Sequence, residues 1–131
     1  QEQLLRESLN QMASRSGLRF WIFKKDEPDR TIGSIGFSNI VWGGFLSCFL
    51  GYKLEEAEIN RGYMTEAIRK GIEIVFQECG LHRIVANIIP RNLRSLRVAE
   101  KLGFVNEGLS RRYLCINGVW EDHVHMVLLN E

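Results

Sequence analysis

Along this chain the apolar side chains keep two rhythms, one repeating every three or four residues and one alternating. Leu4, Leu5, Leu9 and Met12 keep the first, which predicts a helix over Gln1–Ser14 that closes at Ser14–Gly17. Leu18–Lys24 is aromatic and β-branched and predicts a strand. Asp26–Arg30, with Pro28, predicts a polar turn; Thr31–Ile40 alternates and predicts a second strand. Gly43-Gly44 interrupts the chain, and Ser47–Leu54 predicts a third strand, the three forming an antiparallel meander.

From Met64 the pattern becomes helical for four turns, through Ala67, Ile68, Gly71, Ile72, Val75, Phe76 and Cys79, with Gly80 as the stop. His82–Ile89 predicts a buried strand, parallel to Ser47–Leu54 because a helix separates them. Asn92–Leu102 predicts a second helix capped by Gly103. Phe104–Ile116 and Val119–Leu129 predict a long hairpin turning at Asn117-Gly118, a pair suited to a type I′ turn. The sum is an α+β fold: one mixed, mostly antiparallel sheet with a parallel pair at its middle and helices packed on it.

Composition adds bounds. The 131 residues suit a single domain, 1–131. With 17 basic and 16 acidic residues, the net charge of +1 argues against a dedicated nucleic-acid binder. No apolar run reaches the about 18 residues of a membrane span. Cys48, Cys79 and Cys115 have no metal-ligand spacing with the histidines, so no metal is expected and the thiols read as those of a reduced, cytoplasmic protein. Helical periodicity at the first residue, with no initiator Met, implies that the sequence begins inside a larger domain.

Candidate chemistry sits at Ile59-Asn60-Arg61-Gly62-Tyr63-Met64-Thr65-Glu66, between the third strand and the long helix. A helix start presents unpaired N–H groups and a partial positive charge, which together attract phosphate. Gly62 permits close backbone approach, Asn60 tolerates a left-handed conformation and Arg61 adds a cation. A plain β–α turn with an exposed Arg is the competing account. The next strand leads into Pro90-Arg91-Asn92-Leu93-Arg94-Ser95, where Asn92 is placed to cap the second helix and Ser95 falls in its first turn. Both helices start at the C-terminal ends of the parallel strands, where ligands collect in α/β sheets.

Four ordered stretches, Arg61–Ala67, Gly80–Ile84, Pro90–Phe104 and Glu107–His123, resemble the GNAT superfamily of N-acetyltransferases. Within it they resemble the RimJ/RimL branch of ribosomal-protein N-terminal acetyltransferases. The resemblance implies a sheet whose central parallel strands splay apart around acetyl-CoA, with the first strand and helix of that fold lacking here. It implies that the backbone near Leu54 pairs with pantetheine, and that N–H groups from Arg61, Gly62, Tyr63, Met64 and Thr65 hold the pyrophosphate, with Asn60 part of the same cofactor-binding loop. Asn92 would then bond the pantetheine arm, and Ser95 would protonate the leaving thiolate. Two positions depart from the family pattern. The loop has Ile59, Asn60 and Met64 where glutamine or arginine, glycine, and glycine or alanine are usual. Ala99 stands where many members carry a tyrosine acid.

For the acceptor the implied partner is a protein N-terminus, or alternatively a small amine such as a polyamine. A catalytically quiet acyl-CoA-binding module is the third alternative. Glu55 is a candidate to take the amine's proton through water, and a solvated charge at a strand end is its competing reading. His123 and His125 share a face of the last strand and are candidates for the acceptor cleft. Arg94, Arg97, Arg111 and Arg112 are candidates to contact the adenosine phosphate or an acidic acceptor, with surface solvation as the competing reading, and Trp42 with its two following glycines is a candidate to flank the acceptor groove. No membrane and no nucleic acid are expected as partners, and a homodimer is allowed.

Overall fold

The computed structural model describes residues 5–6, 12–14, 16–24, 26–55 and 62–131. Its strands are β1 (Leu5–Arg6), β2 (Met12–Ser14), β3 (Gly17–Lys24), β4 (Glu27–Val41), β5 (Ser47–Leu54), β6 (Arg83–Ile88), β7 (Val105–Ile116) and β8 (Val119–Leu129). Two helices, α1 (Tyr63–Gln77) and α2 (Leu93–Lys101), stand between β5 and β6 and between β6 and β7. Among the described residues the strands form one sheet in the order β1-β3-β4-β5-β6-β8-β7, with β2 also paired to β3. Every neighbouring pair is antiparallel except β5–β6.

The expected opening helix is corrected. Leu5–Arg6 pairs with Phe23 and Lys24, and Met12–Ser14 pairs with Gly17–Arg19, both antiparallel. β3 gives one edge to β4 and offers unpaired backbone groups along the other; this demand outweighs a helical rhythm of four apolar residues. The remainder of that expected helix lies outside the described residues. The turn expected at Asp26–Arg30 is also shorter, because β4 begins at Glu27. Register shifts between Ile22 and Lys24 absorb the additional residues, and Arg30 ties the start of β4 down by bonding Glu27 at 2.7 Å and Glu55 at 2.6 Å.

Alternation along the strands sets the core. Phe20, Ile22, Ile35, Phe37, Cys48, Leu50, Ile84, Ala86 and Ile88 are buried on one face, together with Ile68, Ile72 and Val75 of α1 and Ala99 of α2. Gly71 lets α1 lie close to the sheet: a Cβ there would come within 3.1 Å of the Phe37 ring. At the far end Asn117 (φ 52°) and Gly118 (φ 81°) make the left-handed pair that a type I′ hairpin needs.

The parallel pair fixes the site. β5 and β6 share three rungs, Ser47↔Arg83, Cys48↔Ile84 and Phe49↔Val85. Beyond them Leu50–Leu54 turns toward β4 alone, and Ala86–Ile88 toward β8. The central strands splay, as expected from sequence.

Candidate functional site

Just past the splay lies a cleft of about 360 Å³ lined by Tyr52, Lys53 and Leu54 of β5, by Gly62–Thr65, and by Asn92, Arg94, Ser95, Val98 and Lys101. The structure therefore brings Leu54, Gly62, Tyr63, Met64, Thr65, Asn92 and Ser95 together on one cavity. Asn60 and Arg61 lie outside the described residues.

Each wall follows from local chemistry. Gly62 is the N-cap of α1 in the left-handed conformation, with φ 80° and ψ −2°, and no side chain caps the helix. Nothing stands within 4 Å of where its Cβ would be. The first N–H groups of a helix have no intrahelical acceptor, so this start offers donors and positive potential to an anion. Asn92 is the N-cap of α2, its Oδ1 accepting from the Ser95 N–H at 3.2 Å. That bond uses the carbonyl oxygen and leaves the amide NH₂ to donate to a ligand. Lys53, Arg94 and Lys101 make the rim basic.

The fit to a CoA thioester follows from this donor set. Two helix starts and three cations suit a diphosphate, and the unpaired length of β5 suits the amides of an extended arm. A second hollow, about 310 Å³ between α1 and β3, lacks that chemistry; it is lined by Phe20, Ile22, Ile35 and Ile74 with two carboxylates, Glu66 and Glu73, beside Lys70.

Glu55 is not brought to this cleft. It lines a shallower hollow with Trp21, Thr31, Ser34 and Lys53, and its carboxylate is paired with Arg30. Tyr52 is the residue that sequence reasoning passed over. Its ring alternates with Leu50 and Leu54 onto the helix-covered face, and its hydroxyl donates to the Ser95 carbonyl at 3.1 Å. Burial pushes its phenol above the ordinary value. The period-two pattern of Ser47–Leu54 was the signal that could have found it.

His123 and His125 lie on the opposite face of the sheet. His123 is buried, with Nδ1 3.0 Å from the Glu121 carbonyl oxygen. His125 is half-buried between Ser110 and Asn87. Arg112 serves a β-bulge, with φ 47° and its N–H donating to Asp122 Oδ1 at 3.0 Å. Arg97 and Arg111 are exposed, and Trp42 is half-buried against the core.

Comparison with known proteins adds identity to this geometry. The sequence profile of the acetyltransferase (GNAT) domain matches residues 1–105. The chain is 46% identical over 111 residues to a probable N-acetyltransferase, YjcK, of Bacillus subtilis, covering 85% of this chain and 61% of that protein. It is 40% identical over 109 residues to the ribosomal protein uS5-alanine N-acetyltransferase of Escherichia coli, covering 83% and 56%. The structure of Mycobacterium smegmatis RimJ in complex with CoA-disulfide superposes with a TM-score of 0.81 at 31% identity, over 87% of this chain and 53% of that one. The chain thus spans a little over half the length of these relatives.

Proposed function

The chain belongs to the acetyltransferase (GNAT) domain family, and on that footing we propose that it moves an acetyl group from acetyl-CoA to the N-terminal α-amino group of a protein. The observation that carries this reading is the splay of β5 from β6 beside two helix N-termini. The name of the Escherichia coli relative, a ribosomal-protein alanine acetyltransferase, favours a protein acceptor.

In this reading the pyrophosphate rests on the start of α1 and the pantetheine arm runs along Leu54 toward Asn92. The acetyl group reaches the gap between the strands. Attack by the neutral amine forms the C–N bond and an oxyanion; collapse breaks the C–S bond and expels thiolate, which takes a proton from Ser95 or from Tyr52 beside it. Holding both substrates in the gap lowers the entropic part of the barrier. An α-amino group with a pKa near ~8 is partly neutral at physiological pH, so it needs less help from a base than a lysine near ~10.4. Glu55, engaged by Arg30 outside the cleft, is the weaker candidate for that help.

Thiol release from acetyl-CoA, measured against peptides beginning with Ala, Ser or Met and against spermidine, tests the proposal. Turnover with the peptides is expected. Turnover with spermidine alone moves the acceptor to small amines, and acetyl-CoA binding without turnover leaves only a binding module.

A further inference from the structure

On the face of the sheet away from the helices, two rungs run across three strands. Arg19 of β3 pairs with Gly36 of β4, and Gly36 with Gly51 of β5; beside them Trp21 pairs with Ser34, and Ser34 with Lys53. Residues on one antiparallel rung share a face, and Phe20, Ile22, Ile35 and Leu50 take the other face for the core. The first rung ends at the gap, because β5 stops pairing with β6 at Phe49, two residues before Gly51.

Arg19 occupies the space that Gly36 leaves. A Cβ on Gly36 would stand 3.2 Å from Arg19 Nη2 and 3.4 Å from its Cζ. The guanidinium therefore lies across Gly36, one strand nearer the gap than its own backbone. Its Nη1 donates to Ser34 Oγ at 3.4 Å. Nothing stands within 4 Å of where a Gly51 side chain would begin, so the approach over Gly51 is open. Ser34 also lines the shallow hollow, about 330 Å³, that holds Trp21, Lys53 and Glu55. Lys53 and Leu54 line both that hollow and the CoA cleft, so the two cavities share a wall in β5.

Charge gives this face a preference. Glu55 is held by Arg30, which also pairs with Glu27, itself 3.9 Å from Lys24. Those two cations and two carboxylates cancel. Among the described residues no carboxylate is paired with Arg19 or Lys53, and Ser34 is the polar partner of Arg19. The surplus beside the hollow is positive.

We propose that Arg19 selects acceptors that carry a carboxylate on the second or third residue after the amine, an inference that rests on the acetyl-transfer reading. The attacking amine enters the gap over Gly51, from the face opposite the helices. Strands lie about 4.8 Å apart, and an extended peptide advances about 3.3 Å per residue. A peptide lying along the rung, with its α-amino group just past Gly51, sets its second or third side chain beside the guanidinium. An Asp or Glu there accepts charge-assisted hydrogen bonds from Arg19. Spermidine, cationic along its length, meets Arg19 and Lys53 as like charges and is the poorer acceptor.

The test crosses two enzymes, wild type and Arg19→Gln, with two peptides that begin Ala-Glu-Glu and Ala-Gln-Gln and are otherwise identical. Thiol release at saturating acetyl-CoA gives kcat/KM for each combination. The ratio of acidic to neutral peptide should fall about fivefold from wild type to Arg19→Gln, the upper end for an exposed ion pair, with acetyl-CoA affinity unchanged by calorimetry. Comparing the ratio between enzymes cancels whatever the glutamates do to the pKa of the amine itself. Arg19→Met keeps the unbranched stem over Gly36 and loses the charge; it should give the same fall, and it decides the matter if Arg19→Gln does not fold. Peptide turnover with one ratio in wild type and variant overturns the role of Arg19 and leaves acetyl transfer standing. Turnover of spermidine with neither peptide overturns it along with the protein acceptor. Acetyl-CoA binding with no thiol release by wild type on any amine overturns the acetyl-transfer reading and this selection together.

Discussion

The phenol of Tyr52 on β5 donates a hydrogen bond to the backbone carbonyl of Ser95 on α2, joining the two walls of the cleft at 3.1 Å. This bond crosses from the strand that would carry the pantetheine to the helix turn that would meet the thiolate. Tyr52→Phe keeps the ring and removes the donor. Stability should drop by about 1 kcal/mol in urea unfolding. Acetyl transfer should slow about tenfold, equivalent to about 1.4 kcal/mol, with most of the loss in kcat. An unchanged kcat would remove Tyr52 from the reacting end of the cleft.

Gly62 separates conformation from charge. Its φ of 80° costs an ordinary L-residue roughly 1–2 kcal/mol, less for Asn, which visits that region through its short polar side chain. Gly62→Asn should keep acetyl-CoA affinity within a few-fold. Gly62→Glu sets a carboxylate beside the diphosphate and should weaken binding at least about tenfold, an effect softened by salt. Titration calorimetry at two ionic strengths distinguishes them, and equal affinities would remove the phosphate from the start of α1.

Asn92 lines the cleft with its one oxygen committed to the helix, which leaves the NH₂ to donate elsewhere. Asn92→Ala loses the cap and should cost about 0.5–2 kcal/mol in unfolding. Asn92→Asp retains an acceptor for the Ser95 N–H, so stability should hold while acetyl-CoA binding falls. If both variants bind as wild type does, Asn92 is a cap and nothing more.

Cys48 sets an alkaline limit. Burial, with a smaller push from Cys79, raises its thiol to about 12 from an ordinary 9.0. The folded chain holds that proton where the unfolded chain has lost it. Its stabilising contribution is therefore complete below pH 9 and falls as pH rises toward 12. Urea midpoints between pH 8 and 10.5 should decline more steeply in wild type than in Cys48→Ala, and parallel declines would refute this assignment.

Long, strongly patterned elements were legible from sequence: β5 has its expected bounds, and α1, α2 and the terminal hairpin lie within two residues of theirs. So was the cleft, because glycine before a helix and asparagine at a cap are local signals. Pairing was not. β1 and β2 exist because β3 has an open edge, which no period within Gln1–Ser14 announces. The hydrogen bonds joining Asn87, His125 and Ser110 depend on register across three strands. An unbroken hairpin from Asn117-Gly118 would set Ser110 opposite His125. The bulge at Arg112 advances four positions along β7, from Ser110 to Leu114, against two along β8, from His123 to Glu121. Ser110 then faces His123 and reaches His125 diagonally, a relation that only the folded sheet displays.

Among the described residues, three rungs pair β5 with β6, with the His82 and Arg83 N–H groups bonding the Leu46 carbonyl just before them, and the strands part beyond. An extended thioester lying along β5 would act as a temporary fourth course of masonry, bridging halves that the polypeptide itself leaves ajar. Stability would then be partly borrowed from the bound thioester, rising with the logarithm of its free concentration once that exceeds the dissociation constant. A cell short of acetyl donor would hold a looser and more protease-sensitive form of this chain, so that supply of the donor would govern its persistence as well as its rate.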